Sequence, residues 1–183
     1  FRTVDEARTY LEEGGEIEAE MFNYDYTPLG AAAGKGRVDV FKFLISRGAN
    51  INNKSSIYGW TPLHRACRDG HSQIVQLLLS NVAIAINARD DNNLTSLYIA
   101  CFHRHIECVE LLLNSNHLID INAKNKQGNI TALDWAANNE YEEIVKSLLS
   151  YKGIRINRNM HQYYIKGIIK SEEDKATVFT KRS

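Results

Sequence analysis

The sequence predicts an all-α solenoid of stacked helix pairs, on three observations. A Thr recurs at Thr27, Thr61 and Thr95, 34 residues apart, and again at Thr131, 36 further on. Apolar and small residues hold fixed places behind it: Leu29, Leu63, Leu97 and Leu133 two on, and Ala32, Ala66, Ala100 and Ala136 five on. Each unit closes on an Ile-Asn pair, Ile51-Asn52, Ile86-Asn87, Ile121-Asn122 and Ile156-Asn157. Self-similarity at a period of this size marks a repeat array, in which each unit contacts only its neighbours.

The second copy shows why a unit is a helix pair. Thr61 can N-cap a helix and Pro62 suits the first helical position, where no N–H is needed. Leu63, Ala66 and Cys67 make a narrow apolar face, Asp69-Gly70 breaks the helix, and Ile74, Val75, Leu77, Leu78 and Leu79 make a second one. Neither is long enough to persist alone in water. The second helix recurs at Val40-Phe41, Cys108-Val109 and Ile144-Val145, each followed by an apolar pair.

In chain order, residues 1–25 read as an N-terminal capping half-repeat. Val4 to Ile17 aligns with Val38 to Ile51 at the same offset, and its outer face is acidic, as a solvated end requires. Residues 26–157 hold four full units. Gly48 follows the second helix of the first and can take the left-handed C-cap. The linkers Asn53 to Tyr58, Ala88 to Asn93 and Ala123 to Asn129 are rich in Asn, Asp and Gly, which suit tight turns. The connections after the second helices lengthen at Ser80 to Ala85 and Asn114 to Asp120; they are expected on the edge away from the linkers, where a longer loop costs little. Residues 158–183 read as a C-terminal cap, a divergent partial repeat with apolar Ile165, Ile168 and Ile169, followed by a polar tail.

The pattern resembles the ankyrin repeat family, whose period is about 33 residues. Gly59-Trp60-Thr61-Pro62-Leu63-His64 with Gly70-His71 lies very close to the family motif. The sequence departs from it where Gly30, Tyr98 and Asp134 replace His64, and where Ser96 and Ala132 replace Pro28 and Pro62. The resemblance implies an ankyrin-repeat solenoid whose linkers form β-hairpin finger loops at right angles to the helices. It also implies that the residue before each Thr, and the two after the small pair ending each first helix, face a concave groove.

Composition narrows the function. The 183 residues carry 22 basic and 22 acidic side chains, so no net charge favours a broad nucleic-acid surface. The apolar runs are too short to span a bilayer. Phe1-Arg2-Thr3-Val4-Asp5 lacks the order of a signal peptide, and the missing Met suggests a piece of a longer chain. Three cysteines do not make a disulfide framework, which points to cytoplasm or nucleus, or to host cytosol for a bacterial effector. Gly30 to Gly36 lacks the spacing and the Ser or Thr of a phosphate-binding loop. His103 and His105 point apart on a helix, no His-Glu-x-x-His occurs, and His64 and His71 read as structural. No catalytic residue, cofactor or metal is expected.

The expected function is non-catalytic protein–protein interaction through groove and finger tips, by a monomer. The partner-facing residues are Tyr26, Tyr58, Trp60, Arg68, Asp69, Phe102 and His103, with Arg89, Asp91, Lys126 and Asn138 beside them. Trp, Tyr and Arg are the types that dominate interface energetics; the competing reading of Trp60 and Tyr26 is packing against the next finger. An alternative makes the chain the targeting or substrate-docking module of a larger enzyme, regulator or secreted bacterial effector. A third is self-association through the C-terminal cap. Asn87, eight residues after Leu79, resembles the sites of an oxygen-dependent asparaginyl hydroxylase acting on ankyrin repeats; the preferred alternative is a hydrogen bond from this Asn to the finger backbone.

Overall fold

The computed structural model describes residues 1–20, 26–156 and 167–168. The last closing Asn157, and nearly all of the C-terminal cap, lie outside the described residues. Helix α1 spans Val4–Glu12. Four pairs follow: α2 (Pro28–Gly34) with α3 (Val38–Ser46), α4 (Pro62–Asp69) with α5 (Ser72–Leu79), α6 (Ser96–Phe102) with α7 (Ile106–Leu113), and α8 (Ala132–Asn138) with α9 (Glu142–Leu149).

The recurring Thr starts each first helix. Thr27, Thr61, Thr95 and Thr131 are extended in backbone, and each Oγ1 accepts from the N–H three residues on, in Gly30, His64, Tyr98 and Asp134. In two copies the third residue returns the bond. The Thr61 N–H donates to His64 Nδ1 at 3.1 Å, and the Thr131 N–H to Asp134 Oδ2 at 2.8 Å. Asp134 thus supplies, with a carboxylate, the acceptor that an imidazole supplies in the second copy. Gly30 has nothing to return, and the Tyr98 hydroxyl accepts from Asn125 Nδ2 instead.

First helices stack on first helices, α2 on α4 on α6 on α8, and second helices line up behind them, α5 on α7 on α9. The half-unit helix α1 packs on α3, the place a second helix takes. The core is made of the repeated rows: Leu29, Leu63, Leu97 and Leu133 are at most 2% exposed, and Leu44, Leu78, Leu112 and Leu148 at most 1%. The small row Ala33, Cys67, Cys101 and Ala137 is fully buried, which lets backbones of adjacent first helices approach. No helix among the described residues is long and apolar enough to cross a membrane.

The hairpin fingers are present in a short form, and the expected place of the long connections is corrected. The fingers are hairpin turns closed by Ser55 N–H to Trp60 O, Asp90 N–H to Leu94 O and Asn125 N–H to Ile130 O, and the first two are tightened by Gly59 N–H to Ser55 O and Asn93 N–H to Asp90 O. Among the described residues they hold a single antiparallel bridge, Arg89 with Thr95, and no ladder of paired strands, because the arms are too short to extend one. The long connections after α5 and α7 do not lie away from the fingers. The helices of a pair run antiparallel, so a second helix ends where the first began. Asn52 clamps Ala83 O and the Ala85 N–H at 2.8 Å each, and Asn87 clamps Leu118 O and the Asp120 N–H at 2.7 Å each. Asn122 repeats the clamp on Gly153 and Arg155. The closing Asn therefore bonds the next unit's connection rather than the finger.

The turn between the helices of a pair needs one left-handed residue. It is Gly36 and Gly70 in the first two copies, at φ +63° and +76°, but Arg104 and Glu140 in the others, at +61° and +57°. A side chain there strains the backbone by about 1–2 kcal/mol. Glu140→Gly is expected to raise stability by about 1 kcal/mol, after the entropy lost with glycine. An unfolding midpoint unchanged or lowered in urea would contradict this.

Candidate functional site

The fingers and the exposed turns of α2, α4, α6 and α8 form one continuous face. Its residues come from two register positions, seven after each Thr (Gly34, Arg68, Phe102, Asn138) and eight after (Lys35, Asp69, His103, Asn139), and the row four after (Ala31, Arg65, Ile99, Trp135) lies beneath them, with Arg65 and Ile99 buried. Core rows repeat the same chemistry in every copy; these rows change it in every copy.

In the second unit, Trp60 is half-buried. Its Nε1–H donates to Asp90 Oδ2 at 2.9 Å, on the next finger. Asp90 is buried, and its other oxygen accepts the Asn92 and Leu94 N–H groups at 2.9 and 2.7 Å. The indole is thus fixed against the neighbouring finger, as the packing alternative expects, and it stays half-exposed. Over its ring lie the Arg65 and Arg68 guanidiniums, 4.5 and 5.5 Å from the centroid, and Arg65 also covers Tyr26 at 4.2 Å. A desolvated cation over an aromatic face contributes ~1 kcal/mol and holds the guanidinium in place. Tyr58 is 50% exposed and tilts against Trp60, with ring centroids 5.8 Å apart.

In the third and fourth units, Phe102 is 43% exposed and stacks on Trp135 at 4.6 Å between centroids, with 20° between planes. His103 meets the Phe102 edge at 5.0 Å. Partial burial, then the Arg68 guanidinium and the His105 ring, lower the His103 pKa, which favours the neutral imidazole. Asp69 and Asn138 are exposed at the same level.

The fingers are laced edge to edge. The Asp91 N–H donates to Tyr58 O and the Lys126 N–H to Asn92 O, which leaves the Asp91 and Lys126 side chains outward. Arg89 is tied down: its guanidinium reaches Asp120 Oδ2 at 3.0 Å and Lys124 O at 3.3 Å, and its carbonyl accepts Lys54 Nζ at 2.7 Å. It braces adjacent fingers.

Arg65 and Trp135 support this face, against Trp60 and Phe102, and neither is among the residues expected from the sequence. The signal for them is that Ala, Arg, Ile and Trp follow one another four places after the Thr, while the next position is Ala in every copy. His64, His71 and His105 are occupied by the backbone, with Nε2 against Leu94 O, Gly34 O and Arg68 O at 3.2, 3.1 and 2.9 Å. No group of three His, Cys, Asp or Glu side chains among the described residues has the placement to hold a metal ion. Cys67, Cys101 and Cys108 are free and buried, and burial pushes the Cys67 and Cys101 thiols well up and Cys108 to about 11, so none is a ready nucleophile.

The family described as "Ankyrin repeats (3 copies)" matches the chain over residues 4–90, 50–125 and 83–160. No curated protein matches it.

Proposed function

The chain belongs to the ankyrin-repeat family, and from that premise we propose that it is a non-catalytic module binding a protein partner across its concave face and finger tips. Ankyrin repeats are in general protein–protein interaction modules. What carries the reading for this chain is the contrast between rows. Leu29, Leu63, Leu97 and Leu133 are invariant from copy to copy and buried, whereas Gly34, Arg68, Phe102 and Asn138, five residues along the same helices, share no chemistry. Stacking requires the first row and not the second. Exposed aromatics and arginine on a rigid support are what interface cores are made of.

The test uses residues exposed enough to be changed without unfolding the stack. Affinity capture is run with the wild-type chain and with Tyr58→Ser/Phe102→Ser, and the captured partner is then titrated against both. The double variant is expected to bind about tenfold more weakly or worse, with stability altered by less than about 1 kcal/mol. Undiminished affinity would remove the face from the account. Trp60→Ala is the weaker test, since it also strips the buried Asp90 carboxylate of a donor at a cost of about 1–3 kcal/mol.

A further inference from the structure

The groove is not uniform along its length. At the N-terminal end a depression of about 460 Å³ lies between α1, α2 and α4. Its floor is Gly34, where a Cβ would come within 3.2 Å of Asp69 Oδ2. Its wall carries four cations, Arg2, Lys35, Arg37 and Arg68, against two carboxylates, Glu6 and Asp69. Both signs are partly committed: Glu6 Oε2 accepts the Arg2 backbone N–H at 2.6 Å, Arg37 Nη1 donates to Arg2 O at 3.0 Å, and Arg68 lies 3.9 Å from Asp69, which leaves Lys35 and the Arg2 side chain as the cations with the fewest ties. One step along the stack the same register position changes from Arg68 to Phe102, a flat apolar surface pinned from behind by Trp135. The whole chain carries no net charge, so this local excess of cations is a feature of the site and not of the composition.

We propose that the groove takes an extended acidic segment of a protein partner, with one carboxylate against Lys35 or Arg68, or one against each, and an aromatic side chain on Phe102. This rests on the interaction reading above and adds the chemistry of the partner. Adjacent first helices are about 8–10 Å apart, and an extended chain advances about 3.3 Å per residue. The aromatic therefore lies about three residues from a carboxylate at Arg68 and about six from one at Lys35. Charge complementarity steers the segment in, and the aromatic contact fixes its register.

Random peptides displayed on phage are selected on the full chain, and recovered sequences are synthesised and titrated by fluorescence anisotropy at low and high salt. The expected result is enrichment of Asp or Glu three or six positions from an aromatic, and affinity that falls with salt. Lys35→Glu/Arg68→Glu is expected to weaken these peptides about tenfold or more, as is Lys35→Glu alone to a lesser degree, which guards against any effect of Arg68 on Trp60. Peptides without acidic enrichment, or indifferent to salt and to both reversals, overturn the proposal. If such peptides still need Phe102, the interaction reading stands and only the acidic specificity fails. If no recovered peptide depends on Phe102, both fall. A uridine-rich RNA oligonucleotide is titrated in parallel, because cations beside stacked rings also suit single-stranded nucleic acid; tighter binding of the RNA than of the peptides overturns the proposal as well.

Discussion

Leu97→Ala is expected to lower stability by about 2–5 kcal/mol, the range of core truncations whose cavity cannot collapse. Leu97 is 2% exposed, near the start of α6, in the third unit. Helix α6 packs on α4, α7 and α8, so a cavity there borders three rigid neighbours rather than one movable side chain. Its position in the stack adds a second consequence. Each unit is held only by the ones beside it, and a weakened interior unit uncouples the two ends. Chemical denaturation followed by far-UV circular dichroism is expected to show a lower midpoint and a broader transition. A loss below about 1 kcal/mol would mean that the third unit is not packed in this register.

Acidification is expected to remove about 3 kcal/mol between pH 6.5 and pH 4, through His64. Burial pushes the His64 pKa from its ordinary 6.5 down to about 4, against the pull of the Leu94 carbonyl and Asp90. The geometry gives the cause. Nδ1 must keep its lone pair to accept the Thr61 N–H, and Nε2–H faces Leu94 O. A proton on Nδ1 breaks the helix cap and places a charge in the core. Since the folded pKa is depressed, the unfolded chain takes up the proton first. The contribution is complete above pH 6.5 and is lost as pH falls through 4. His64→Asp is the control, because Asp134 closes the same cap with a carboxylate in the fourth unit. That variant is expected to lack the loss beginning near pH 6.5; an identical pH profile would place the titration elsewhere.

The stack was legible because its physics is periodic. A cap, a leucine, a small residue and an apolar pair must recur if identical surfaces are to be buried in succession, and Thr27, Thr61, Thr95 and Thr131 announce the register at once. The four-unit order, the helix starts and the core rows follow from that alone. The face was legible only in part. Tyr58, Phe102 and His103 stand out as large side chains at variable positions, and the structure leaves them exposed. Trp60 and Arg89 carry ties that no single unit reveals, since Asp90 and Asp120 come from the next finger and the next connection. Trp135 and Arg65 sit where helix geometry alone does not say whether a residue faces groove or neighbour; the stacking of Phe102 and the layering over Trp60 decide it. The place of the connections after α5 and α7 is not legible in residue type, because it depends on the antiparallel return of the second helix, a three-dimensional fact.

The central claim is that a rigid stack offers one variable face to a protein while its back remains free. Hydrogen exchange read by mass spectrometry, on the chain with and without a peptide or partner recovered on it, tests this most directly. The account predicts slowed exchange in the fingers over 53–61 and 88–95 and in α4 and α6, with α3, α5, α7 and α9 unchanged. Protection confined to those second helices, with the fingers exchanging as before, would contradict it.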